Sequence, residues 1–113
     1  MTTIYHNPRC RKSRECHALL VEANADIEII DYKKTPFTEA ALSDLLGLLG
    51  MKPIELVRKN EAIWKEKFKG KQLSDKSVLN ALLSYPQLIE RPIVVKDGVA
   101  IVARPPEKVL EIL

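Results

Sequence analysis

Ile93-Val94-Val95 and Val99-Ala100-Ile101-Val102 flank Lys96-Asp97-Gly98. Two β-branched runs around Asp-Gly predict a tight antiparallel hairpin, because the favoured two-residue turn places both central residues at positive φ. A different pairing is written at the other end of the chain. Residues 2 to 5 form a β-branched and aromatic run, cut off by Asn7-Pro8, as a short strand leading into a loop would be. From Cys10 to about Ala23 the spacing becomes helical, with Cys16, Leu19, Leu20 and Ala23 on one face. Ile27 to Ile30 is a second compact apolar run. Strand, helix, strand with short connections predicts a parallel pair. The chain must therefore build a mixed sheet of the α/β class.

Between these ends the pattern is helical. Thr38 is placed to cap a helix bearing Leu42, Leu45, Leu46 and Leu49, with Gly50 to end it. Ser74 is placed to cap a second, with Val78, Leu79, Leu82 and Leu83, ahead of Pro86. The polar stretch from Arg58 to Lys71 predicts one shorter helix containing Trp64, and Pro105-Pro106 opens a last helix through Val109, Leu110 and Leu113. The order βαβ, helices, ββα, with Pro92 entering the third strand, resembles that of thioredoxin-like folds. The expectation is a four-stranded sheet in a single domain over residues 1–113.

Composition narrows the functional classes. A chain of 113 residues is long enough for one modest core, and 46% hydrophobic with 29% charged residues argues against disorder. The net charge of +3 is small and both signs are scattered, so nucleic acid is not an expected partner. The first residues lack the pattern of a secretory signal. No apolar run approaches the ~20 residues of a membrane helix. The expectation is a cytoplasmic protein with no membrane contact, whose two cysteines are catalytic or buried rather than bridged.

Cys10 stands where the first loop turns into the first helix. A helix N-terminus lowers a thiol pKa, and the thiolate is the nucleophile. Arg9, Arg11, Lys12 and Arg14 crowd the same turn, and His6 would add a further charge if protonated. The amides and cations that favour a thiolate also bind an oxyanion. Cys16, six residues on, lies ~9 Å along the helix, beyond the roughly 7 Å a disulfide spans, and shares the apolar stripe with Leu19 and Leu20. It reads as core. No Cys-x-x-Cys is present, and His6 and His17 lack ligand spacing with the cysteines, so no metal site is expected. Three arginines sit beside structural markers: Arg58 before Lys59-Asn60, Arg91 before Pro92, and Arg104 before Pro105. Their planar, permanently charged forks suit tetrahedral oxyanions.

Taken together, His6-Asn7-Pro8-x-Cys10, Arg58-Lys59-Asn60, Arg91-Pro92-Ile93-Val94-Val95 and Arg104-Pro105 resemble the glutaredoxin-coupled arsenate reductases, in order and register from residue 3 to residue 113. The resemblance implies a thioredoxin-like sheet with a helical insertion near residues 38–85. It implies that Cys10 attacks arsenate, that His6 helps hold Cys10 as thiolate, and that Arg58, Arg91 and Arg104 are the oxyanion ligands. Pro92 would be a cis-proline facing the cysteine. Glutathione would be the co-substrate and glutaredoxin the reductant of a monomer without a bound cofactor. The positions after the nucleophile, usually small or hydroxylic in that family, are here Arg11 and Lys12, whose bulk would narrow an anion pocket and whose charge would strengthen it.

Two other functions fit parts of the pattern. A glutathione-dependent thiol–disulfide reductase of the same fold would need Cys10 but not all three arginines. A non-enzymatic relative, resembling the Spx-type transcriptional regulators, would be expected to carry Cys-x-x-Cys, where Ser13 stands in place of the second cysteine.

Overall fold

The structure, a computed structural model, describes residues 1–23 and 25–113. The chain divides into two compact units, residues 1–35 with 91–113, and residues 36–90.

The first unit holds the sheet. β1 (Thr2–His6), β2 (Ile27–Asp31), β3 (Ile93–Lys96) and β4 (Val99–Val102) lie in the order β2-β1-β3-β4. β1 and β2 pair in parallel, joined by α1 (Arg11–Glu22); β3 is antiparallel to both β1 and β4. This is the expected thioredoxin-like arrangement. The β3–β4 connection is the two-residue turn Asp97-Gly98, with φ of +50° and +78°. Both lie in the left-handed region that such a turn demands.

Side-chain alternation decides which residues of β1 meet α1. Thr2, Ile4 and His6 are buried, while Thr3 and Tyr5 are half-buried, as the two-residue period of a strand requires. On α1 the buried stripe is Ser13, Cys16 and Leu20, spaced as one helix face. Ile4, Cys16, Leu20, Val94, Ala103 and Val109 form one buried cluster. Fully burying an aliphatic side chain contributes about 1.5–3 kcal/mol, so this cluster ties helix to sheet.

The last segment departs from expectation. Pro106–Glu111 is a 3₁₀ helix rather than an α-helix. Its bonds run from the Lys108 amide to the Pro105 carbonyl at 3.0 Å and from Ile112 to Val109 at 3.2 Å. Two consecutive prolines remove two amides, and a segment this short closes on i to i+3 bonds. Val109 still reaches the core.

The second unit is helical. α2 (Glu39–Leu49) is capped by Thr38, whose hydroxyl accepts from the Ala41 amide at 3.1 Å, and ends at Gly50 with φ +66°. α3 (Ala62–Lys67) buries Trp64. α4 (Asp75–Ser84) is capped by Ser74, which accepts from the Ser77 amide at 3.1 Å. Two 3₁₀ turns, Pro53–Leu56 and Pro86–Leu88, each begin at a proline. Leu42, Leu45, Leu46, Val78, Ala81 and Leu82 are buried along α2 and α4. No helix among the described residues is long and apolar enough to cross a membrane.

Two glycines separate backbone conformation from packing. A methyl group at Gly47, inside α2, or at Gly98 meets nothing within 4 Å. Gly47→Ala should raise stability by about 0.5–1 kcal/mol through helix propensity. Gly98→Ala should lower it by about 1–2 kcal/mol, the cost of a left-handed alanine. Urea denaturation of both variants checks the opposite signs.

Candidate functional site

The site is assembled at one edge of the sheet. The Asn7–Cys10 loop leaves the C-terminal end of β1, next to the C-terminal end of β2, where His6 pairs with Asp31. β3 runs antiparallel to β1, with Tyr5 opposite Ile93, so Arg91 enters at the same edge. β4 leaves there too, Val102 opposite Ile93, and brings Arg104. Four sequence-distant segments of one unit therefore converge for topological reasons.

The loop is anchored by Ser13. It is 0% exposed and sits in the first turn of α1. Its Oγ accepts the Asn7 amide at 3.0 Å and lies 2.6 Å from His6 Nδ1. Geometry makes this contact inevitable: His6 is one strand step beyond Ile4, and Ser13 is one helical turn before Cys16, on the two faces that already pack together. Further bonds tighten the turn. The Arg9 amide donates to Asn7 Oδ1 at 3.1 Å, the Cys10 amide to the Asn7 carbonyl at 3.0 Å, and Arg14 Nη1 to the Pro8 carbonyl at 3.2 Å.

Cys10 is the N-cap residue of α1, half-buried, with a free thiol. Burial pushes that thiol up. The Arg91 guanidinium, which donates a hydrogen bond to the sulfur, and the amides of Ser13 and Lys12 outweigh burial and hold the thiol below its ordinary value. The sulfur makes no full capping hydrogen bond, so the amides act on it as oriented dipoles at a helix N-terminus. Arg91 is itself oriented. Burial disfavours its charge, but the neighbouring Cys10 sulfur and Tyr32 hydroxyl more than offset this. Tyr32 is 1% exposed, one residue past β2.

The crowded cations of the Cys10 turn behave differently from expectation. Arg11 Nε contacts Glu15 Oε1 at 3.0 Å and Lys12 Nζ contacts Glu15 Oε2 at 3.8 Å, both on the outer face of α1. Neither these side chains nor those of Arg9 and Arg14 are among the groups that lower the Cys10 pKa. Local sequence density of charge is therefore a poor guide here; the effective cation, Arg91, comes from the segment that leads into β3. His6 does not supply a further charge either. Burial, then the neighbouring His17, push its pKa down, with Asp31 opposing and Arg14 adding to the fall. His17 is half-buried, its ring 5.6 Å from that of His6. His6 reaches the loop through Ser13.

The remaining expected residues divide between the units. Arg104 Nη1 donates to the Arg91 carbonyl at 3.4 Å, and Arg91–Pro92 and Arg104–Pro105 are both cis. Arg58 lies in the helical unit. Its amide donates to the Leu88 carbonyl at 2.7 Å beside the Val57–Ile89 bridge, and its Nη1 is buried with no hydrogen-bond partner among the described residues. Cys16 is 0% exposed and burial pushes its thiol up to about 11, the behaviour of a core residue. Sequence reasoning missed the roles of Ser13 and Tyr32. The helical stripe through Cys16 was the available signal for Ser13; nothing local to Tyr32 marks it.

The ArsC family model matches residues 5–112. The chain is 47% identical to the uncharacterized protein YfgD of Escherichia coli, over 97% of this chain and 94% of that protein. It is 36% identical to an arsenate reductase of Neisseria meningitidis, over 97% of this chain and 96% of that one. Among solved structures, an arsenate reductase from Vibrio cholerae superposes with a TM-score of 0.93 at 44% identity, covering 99% of this chain and 97% of that chain.

The two thiols should separate by alkylation. Iodoacetamide should label Cys10 with a midpoint below that of a free thiol, and Arg91→Met should move the midpoint up, since the thiolate loses a donor and a cation. Cys16 should stay unlabelled in the folded protein. The Cys16 shift also has a stability consequence. Above the ordinary thiol pKa the unfolded chain releases this proton while the folded chain keeps it, so stability falls as pH rises toward about 11. In a Cys10→Ser background, Cys16→Ala should flatten that fall in urea titrations across the alkaline range.

Proposed function

Because the chain belongs to the ArsC family, and so is an oxidoreductase of thioredoxin-like fold, we propose that it reduces arsenate to arsenite with Cys10 as nucleophile and glutathione and glutaredoxin as the source of electrons. The observation that carries this reading is the Arg91–Cys10 contact at the N-terminus of α1. One guanidinium and the first amides of the helix both favour the thiolate and offer donors to an oxyanion.

The chemistry balances with thiols alone. The Cys10 thiolate forms an S–As bond as one arsenate oxygen leaves as water. Arsenic then takes two electrons, and two thiols give them up as one disulfide, which glutaredoxin and glutathione return to thiols. Arg91 neutralises the oxyanion as it meets the thiolate, and Arg104, hydrogen-bonded to the Arg91 carbonyl, adds a second guanidinium at that edge. The family resemblance assigns Arg58 as a third ligand. His6, held neutral, positions the loop through Ser13.

The test is arsenate-dependent NADPH oxidation in the presence of glutathione, glutaredoxin and glutathione reductase. Wild type should show saturable turnover, and Cys10→Ser none, because a hydroxyl is a poor nucleophile at neutral pH. Arg91→Ala should lose about 10²–10³ in rate, the scale of one preorganised oxyanion donor, and Arg58→Ala and Arg104→Ala test the other two positions. Turnover retained by Cys10→Ser would falsify the mechanism. Well-folded protein that ignores arsenate but reduces a glutathione mixed disulfide would move the function to thiol–disulfide exchange.

A further inference from the structure

Between the Asn7–Arg9 turn and the loop that follows β2 lies a cleft of about 310 Å³, lined by Asn7, Pro8, Arg9, Asp31, Lys33 and Lys34. Small-ligand pockets begin at about 300 Å³, so the cleft is more than a tetrahedral oxyanion needs. Both walls are braced. The Arg9 amide donates to Asn7 Oδ1 and the Lys33 amide to Asp31 Oδ1, each at 3.1 Å. The amides of Lys34 and Thr35 donate to the Asp31 carbonyl at 3.1 and 2.9 Å. The backbone of the cleft is thus fixed, while Arg9, Lys33 and Lys34 are exposed and Asp31 is half-buried. Among the described residues, the side chains of Arg9, Lys33 and Lys34 have no ion-pair or hydrogen-bond partner. Three cations and one carboxylate therefore line the cleft, and one of the cations, Arg9, immediately precedes Cys10.

We propose that this cleft binds the charged ends of an acidic peptide thiol, the class to which glutathione belongs, and so delivers the second thiol to Cys10. The proposal rests on the thiol-coupled reading above and names the site of its co-substrate. The match is in charge, size and reach. A γ-glutamyl tripeptide thiol carries two carboxylates and one ammonium; the cleft offers three cations for the former and the Asp31 carboxylate for the latter. Such a peptide spans about 10 Å when extended, so its ends can lie along the cleft while its central cysteine reaches the neighbouring nucleophile. A neutral thiol has nothing for these groups to hold. Exposed cations gather an anionic reactant more than they tighten any one contact, so the effect belongs in the rate of the bimolecular thiol step.

The experiment isolates that step. Cys10 is capped as its methyl disulfide with methyl methanethiosulfonate, and loss of the cap to glutathione or to 2-mercaptoethanol is followed by mass spectrometry. The attacking thiolate forms one S–S bond as the existing one breaks, so no other oxidant or reductant enters. In Lys33→Glu/Lys34→Glu the glutathione rate should fall about tenfold, the lower end of what charge steering supplies. The 2-mercaptoethanol rate, which reports on Cys10 itself, should match wild type. An unchanged glutathione rate, or an equal fall with both thiols, overturns the proposal. Arg9→Ala, on the opposite wall, should show the same selectivity. Arsenate is absent throughout, so a failure of the oxyanion reading and a failure of this one give different results.

Discussion

Ser13 is the contact on which the site depends. Its buried hydroxyl accepts the Asn7 amide and meets His6 Nδ1, so one oxygen ties the end of β1, the loop and the first turn of α1 together. A buried amide left without its acceptor costs about 1–3 kcal/mol, and here that cost would fall on the backbone that carries Cys10. The position of the sulfur at the helix N-terminus follows from this pin. Its ionisation then follows from position, since the amides of Lys12 and Ser13 act on it only from there.

Charge is arranged by tertiary structure more than by local density. Arg11 and Lys12 turn to Glu15 on the solvent face of α1. Arg14 holds the Pro8 carbonyl. The Cys10 thiol instead answers to Arg91, whose own charge is favoured by the neighbouring Tyr32. The question of whether the bulk or the charge of Arg11 and Lys12 would dominate a pocket thus resolves differently: both side chains are engaged elsewhere. Among the described residues, Arg9 is the basic residue of the turn whose side chain has no such partner, and it lines a cleft with Lys33 and Lys34.

The two cysteines show the same division of labour. They are six residues apart on one helix, yet one is the half-buried cap and the other is at 0% exposure in the core cluster. Burial raises both thiols, but only Cys10 has donors to reverse it. A thiol with a lowered pKa and one with a raised pKa can therefore share a helix because desolvation without donors and desolvation with them have opposite net effects.

The hairpin at Asp97-Gly98, the parallel pair around α1, the caps at Thr38 and Ser74 and the core assignment of Cys16 were all legible in the chain, because each is set by local propensity, turn chemistry or periodicity. Cys10 was legible for the same reason, as a cysteine at a strand-to-helix turn. The α-helical expectation for the last segment failed because two prolines and a short remaining length favour 3₁₀ bonds. The partners of Cys10 were not legible. Arg91 and Tyr32 reach the site only through the pairing of β1 with β3 and β2, and His6 meets Ser13 only once strand and helix faces pack. The sequence by itself determined the strands, the principal helices and the place of Cys10 at the N-terminus of α1. Which cations serve the thiolate, and which remain free at the cleft, was decided by tertiary structure, because electrostatics depends on distance in space and the chain records only distance along itself.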